Sequence, residues 1–394
     1  MTKYTRISIY WITFFEATCI GILMPILNTH IFTLQGSHKI TGIIAAVSIL
    51  SETYSKKILA KNTANPESIL FKYLLIELIT NIILGLSTNL YLVATARIIF
   101  NLFNQTNTLC KRIISKNVAS EDLSSTYSTI NLLYILGLIF GPVLSGHLYQ
   151  NNKTFLPDMC KGDTCFYSVA SALTTLNLIS TTLAFCIPTC EAVENLEENE
   201  PRADPLKYPP WQIKTLRFLS RISIWVFSSK FSLLIKELYG ATPIQIGYTL
   251  SFHFIIFFVA TFLLNTKIKF DPKRYAHMNF LIGTTILCMS MIMACLSHSF
   301  FMFLLNSFPL IVARVYMDWT YKSLYCDSAS ISKTNKYLDM MLPFIFGVFC
   351  DIYLNDAFRV FCILPLILAV LLSIYYDSFI NDCSVQTQIH IHDD

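Results

Sequence analysis

The feature that most constrains this chain is a recurring apolar stretch about 20 residues long, the length a helix needs to cross the hydrocarbon of a bilayer. Such stretches fall at 7–28, 40–60, 69–88, 90–110, 127–149 and 166–188, then at 215–238, 244–265, 276–296, 299–320, 335–354 and 358–380. Those at 40–60, 215–238 and 335–354 are the most polar of the twelve. Inside lipid every backbone N–H and C=O must be paired within its own segment, so segments of this kind are helices. The period-two alternation of a membrane barrel is absent. Composition agrees: 54% of the 394 residues are apolar and 14% charged, against roughly 25% charged in a soluble domain. The 30 Phe and 20 Tyr suit lipid contact and the membrane interface. The stretch after Arg6 is too long for a cleavable leader and contains Glu16, so it reads as a first span.

Twelve spans make a demand on the basic residues, which concentrate in cytoplasmic loops. With the N-terminus inside, 21 of the 29 Lys and Arg fall on the cytoplasmic side and six on the other, while Arg97 and Arg314 lie within spans. Losing one span would invert every later loop and scramble this asymmetry. Both termini are therefore expected in the cytoplasm. The longest outer loop, 150–165, carries the sequon Asn152-Lys153-Thr154, a possible glycosylation site, and the cysteines Cys160 and Cys165. In an oxidising lumen those two can close a short disulfide; two unpaired loop thiols fit equally well. The other ten cysteines are scattered without metal-ligand spacing and read as small hydrophobes.

Between 189 and 212 the composition shifts to six acidic residues among four prolines, a run unable to bury a core. Six spans precede it and six follow. The expected organisation is an N-terminal six-helix bundle (1–188), an acidic linker (189–212), a C-terminal six-helix bundle (213–380) and a cytoplasmic tail (381–394). Carriers built from structural repeats have this layout, with solute bound between the halves.

The most specific stretch is the fifth span. Gly137, Gly141 and Ser145 recur every four residues and make a stripe where a neighbouring backbone can approach closely. Pro142 lacks an N–H and crowds the carbonyl four residues back, which bends a helix. Static close packing and a gate between moving bundles both account for such a helix. With Arg97 in the fourth span and the run Gly141-Pro142-Val143-Leu144-Ser145-Gly146, the chain resembles the major facilitator superfamily, whose fifth helix carries a Gly-Pro-x-x-Gly-Gly type motif. Gly21 and Pro25 in the first span fit the same pattern, and the layout is closest to the drug–proton antiporter and lysosomal facilitator-like branches. The resemblance implies an all-α membrane protein of twelve helices in two bundles, and a gating role for Gly137, Gly141, Pro142, Ser145 and Gly146. The loop between spans two and three departs from the family: residues 56–62 keep positive charge but have neither the Asp nor the Gly pair usual there.

A charge at mid-membrane costs about 2.5–3.5 kcal/mol on insertion scales, so each one asks for a reason. Glu16 in the first span and Arg97 in the fourth admit two readings. Glu16 carries a coupling proton, or the two form a static pair pinning their helices. Lys230, after Ser228 and Ser229, suits an anionic group in a cavity; His253 is a candidate proton acceptor or a packed, hydrogen-bonded ring. These four residues make the expected solute and proton pathway. Arg314 and Asp318, four apart, are expected to neutralise each other, Glu52 to meet Lys56, and Glu77 to be structural.

These features point to a monomeric secondary transporter of a small solute, possible proton coupling included, in a plasma, endolysosomal or vacuolar membrane. The alternative is a receptor or scaffold that kept the fold and lost transport. No phosphate loop, nucleophile motif or His/Asp cluster speaks for an enzyme, and neither cofactor nor metal is expected. The basic residues are spread over six cytoplasmic segments, as topology requires, which leaves nothing to support nucleic-acid binding.

Overall fold

The computed structural model describes residues 3–61, 65–155, 166–188, 211–229, 231–266, 276–324, 341–352 and 360–375, and the helices below are those of the described residues. In chain order they are α1 (Lys3–Thr33), α2 (His38–Lys61), α3 (Pro66–Leu86), α4 (Leu90–Phe103), α5 (Thr106–Asn117), α6 (Ser120–Phe155) and α7 (Phe166–Phe185). Then follow α8 (Trp211–Ser229), α9 (Phe231–Tyr239), α10 (Pro243–Thr266), α11 (Ala276–Cys295) and α12 (Phe300–Leu324), with α13 (Met341–Ile352) and α14 (Val360–Tyr375) last. Helix falls at each of the twelve predicted span positions, and no strand occurs among the described residues. Seven helices, α1, α3, α6, α7, α10, α11 and α12, are long and apolar enough to cross a bilayer. The chain is an all-α, multi-pass integral membrane protein.

The fourth position differs from a single span: α4 ends at Phe103 and α5 begins at Thr106. Between them Asn104 N donates to Phe100 O at 2.9 Å and Gln105 N to Phe103 O at 2.7 Å, which closes α4 and starts a new helix. The local sequence explains the interruption, since Asn101, Asn104, Gln105 and Asn107 crowd seven residues and short polar amides compete with the helical ladder. The N-terminal end of α4 is fixed by Asn89, whose side chain accepts from Tyr91 N at 2.8 Å. The seventh position holds α8 and α9, on either side of residue 230, which lies outside the described residues.

The helices group into two compact units. One comprises Met1–Pro201, Ser232–Phe254 and Pro343–Val348; the other comprises Arg202–Phe231, Ile255–Leu342 and Phe349–Asp394. In the first unit α1 runs through the middle, packed along α6 and against α5 and α7, while α3 packs on α4, α5 and α7, and α2 on α4. Its helices are inside-out relative to those of a soluble protein. On α3, Leu75, Ile79, Ile82 and Ile83 are exposed while Glu77, Thr80 and Asn81 are buried. In the second unit α11 lies along α12, where Tyr316 donates to Asn279 Oδ1 at 2.7 Å. Arg217 of α8 lies with its guanidinium carbon 3.6 Å from the centre of the Tyr321 ring.

Candidate functional site

The glycines of α6 are the places where helices meet backbone to backbone. A Cβ added at Gly137 would lie 2.5 Å from Phe14 O and 2.7 Å from the Ala17 Cβ, and one at Gly141 would lie 2.6 Å from Thr18 O. Gly21, on the opposite side of the crossing, is tight but less closed, with Pro142 Cδ at 3.0 Å and Gly141 Cα at 3.1 Å from its virtual Cβ. One turn further out, Ser145 donates to Ile22 O at 2.6 Å. The stripe seen in the sequence therefore has α1 as its partner. Gly146 belongs to another face, because five residues turn a helix by roughly 140° from Gly141. A Cβ added there would lie 2.8 Å from Pro243 O and 2.9 Å from Ile244 Cα, and Gly247 abuts the Pro142 carbonyl in return. Ser251 of α10 donates to Ile139 O at 2.6 Å, taking up a carbonyl in the turn before Pro142. His147 Nε2 and the Tyr248 hydroxyl are 3.1 Å apart in the same contact. Within the same unit, Gly42 abuts the Pro343 carbonyl and a Cβ added at Gly347 would lie 2.6 Å from His38 O, so α2 and α13 repeat the device. His38 also lies 3.9 Å from Glu237.

The intramembrane charges are arranged differently from the pairing considered for Glu16 and Arg97. Among the described residues no ion pair joins them. The Arg97 guanidinium lies 5.1 Å from the centre of the Phe100 ring, and the acidic group it faces is Glu52 of α2. Glu52 also meets Lys56, as their spacing predicts. Glu16 instead turns into the first unit, where its carboxyl is in hydrogen-bonding contact with that of Glu77 on α3. Their exposures are 1% and 0%. Glu77, read from sequence as structural, is thus the residue that meets Glu16. A signal existed: Glu16 lies 13 residues into α1 and Glu77 lies 11 into α3, both counted from the same predicted side of the membrane.

His253 lies half-buried on α10 beside Phe252, with ring centres 6.4 Å apart, and is not brought to Glu16. Asn152 falls in the last turn of α6. Lys230, Cys160 and Cys165 lie outside the described residues. In the second unit Arg314 has both Asp318 and Arg221 as charged neighbours. Among the described residues no group of three or more His, Cys, Asp or Glu side chains is placed to hold a metal ion.

Neither a protein-family model nor a curated protein matches the sequence. Solved structures do match the fold. A bacterial homologue of the iron transporter ferroportin, in an inward-facing state, superposes with a TM-score of 0.71 at 11% identity, over 96% of this chain and 100% of that one. A bacterial homologue of the human lysosomal transporter Spinster, inward-facing and unoccupied, gives 0.64 at 13% identity over 96% of both chains. The nucleoside transporter NupG gives 0.64 at 12% identity over 95% of this chain and 99% of that one. The fold is therefore that of the major facilitator transporters, spanned from end to end.

Proposed function

We propose that this chain carries a small solute across a membrane by alternating access between its N-terminal (1–188) and C-terminal (213–380) six-helix halves, with protons as the coupling ion. The observation that carries this reading is the two-faced α6. Gly137 and Gly141 seat it on α1, Gly146 and the Pro142 carbonyl seat it on α10, and in each contact the opposing surface is mostly main chain. Smooth main-chain crossings have few interdigitated side chains to unlock, which suits elements that shift against one another. The similar structures include a nucleoside transporter and a homologue of an iron transporter, so the shared fold argues for transport and leaves the solute open. No nucleotide-binding motif is present in the sequence, so uphill movement would draw on an ion gradient. Glu16, Arg97, Lys230 and His253 are the proposed solute and proton pathway, in a monomer with both termini in the cytoplasm.

The altered loop at 56–62 favours a second reading, a receptor or scaffold on a transporter fold. One experiment separates the two. Purified protein in vesicles, with and without a pH gradient, is offered a panel of nucleosides, iron(II) and organic anions. Uptake above protein-free vesicles that responds to the gradient supports the carrier. A well-folded preparation that moves nothing on the panel sinks it in favour of the scaffold.

A further inference from the structure

The core of the first unit is divided in height. One apolar cluster includes Ile9 and Ile12 of α1, Leu70 and Leu74 of α3, and Ala184 of α7. Another includes Cys19 and Ile22 of α1, Leu84 of α3, and Leu173 of α7. Between them the same three helices bury polar side chains: Thr13 and Glu16, then Glu77, Thr80 and Asn81, then Asn177, Ser180 and Thr181. A continuous polar layer thus crosses the bundle at the depth of Glu16.

The hydrogen bonds of this layer can be accounted for one by one. Thr13 donates to Ile9 O at 2.9 Å, Thr80 to Glu77 O at 2.9 Å and Thr181 to Asn177 O at 2.7 Å, each on its own helix. The Cys19 thiol spans to α7, 3.8 Å from Asn177 Oδ1. No hydrogen-bond donor reaches any of the four carboxylate oxygens of Glu16 and Glu77, and Asn81 Nδ2, Asn177 Nδ2 and Ser180 Oγ likewise have no partner. The two spare amide groups are close by. Asn81 follows Glu77 by one turn, and Asn177 meets Cys19, one turn from Glu16.

Two ionised carboxylates offer acceptors only, so the contact between Glu16 and Glu77 has no donor. Like charges in contact, out of water, cannot both persist. The titratable groups facing the pair from neighbouring helices are Cys19 of α1, Cys110 of α5 and Tyr134 of α6. None of them supplies positive charge. No Lys, Arg or His forms an ion pair with either carboxylate among the described residues. One proton resolves the arrangement: it turns the contact into an O–H···O bond and leaves a single negative charge, inside the polar layer that also buries the Asn81 and Asn177 amides.

We propose that Glu16 and Glu77 form a single proton-binding site inside the N-terminal bundle, the pair sharing one proton at neutral pH. The site belongs to two helices of one bundle, so it binds its proton whether or not the chain transports a solute.

Infrared spectroscopy of the purified protein in lipid nanodiscs tests this without any solute. At neutral pH the wild type is expected to show the carbonyl stretch of one protonated carboxyl, shifted in heavy water and lost at alkaline pH. Glu16→Gln and Glu77→Gln should each remove that band, because the new amide gives the remaining carboxylate a donor. Glu67, buried with both oxygens unpartnered at the start of α3, is the control. A band lost in Glu67→Gln and kept in both other variants overturns the proposal. So does a wild type with no protonated carboxyl at neutral pH, or a band that sodium chloride removes and choline chloride does not, which would make the pair a sodium site. The wild-type titration stands as a test by itself if a variant fails to fold.

Discussion

Gly141→Ala adds one methyl group at the crossing of α1 and α6, and its cost can be worked from the geometry. The new Cβ would lie 2.6 Å from Thr18 O, 2.7 Å from Gly21 Cα and 2.8 Å from Gly21 C. All three neighbours are main chain, so no rotamer change relieves the contact. To reach an ordinary separation of about 3.5 Å the helices must part by roughly 1 Å. The Ser145–Ile22 bond one turn away, 2.6 Å long, would stretch with them. Overpacking of this kind costs about 1–3 kcal/mol, a roughly 5- to 150-fold fall in the folded-to-unfolded ratio. The assay is thermal unfolding in detergent, read by a thiol-reactive fluorophore, since Cys19 and Cys110 are free and buried in this unit. Leu144→Ala, at a 39% exposed position on the same helix, is the comparison and should shift the transition little. A Gly141→Ala protein as stable as wild type would mean that α1 and α6 do not cross in main-chain contact, and the packing argument would fall.

Ser145→Ala removes the hydroxyl that reaches Ile22 O and should cost about 0.6 kcal/mol in the same unfolding assay, the average for a hydrogen bond between membrane helices. Arg217→Leu removes the guanidinium above Tyr321 and should cost about 0.5–2 kcal/mol, with Arg217→Lys recovering part of the loss. In vesicles that show gradient-dependent uptake, Glu16→Gln and Glu77→Gln should each abolish the response to pH; unchanged dependence in both would leave the pair a packing feature. Epitope tags on the two chain ends should react from the same face of the membrane, and tags on opposite faces would overturn the twelve-span map.

Much of the fold is written in segment length. Twelve apolar stretches announced twelve helical positions, because a span must pair its own backbone wherever it packs. The α6 stripe was legible for the same reason: a four-residue repeat of small side chains is a property of one helix. Its partner was not, since α1 is chosen by the rotation of two helices about their axes. Gly146 shows the limit well, being adjacent to the stripe in sequence and directed at α10 in space. The Glu16–Glu77 contact was hidden behind the opposite charge of Arg97, which made the wrong pairing attractive on electrostatic grounds alone. Matching the depths of the two carboxyls would have raised the right one. The break in the fourth position was signalled by its cluster of amides, whose preference competes only weakly with a strong apolar pattern on either side.

The chain has 12 glycines, few for its length, and at six helical ones (Gly42, Gly137, Gly141, Gly146, Gly247 and Gly347) an added Cβ would fall under 3.0 Å from the main chain of another helix, closer than side chains tolerate. A partner that is main chain cannot be trimmed by substitution, so a residue enlarged at one of these points has no compensating change available opposite it. These positions are thus locked one at a time rather than in pairs. Sequences descended from this one should drift freely around them while holding glycine there, even where every charged residue has been exchanged.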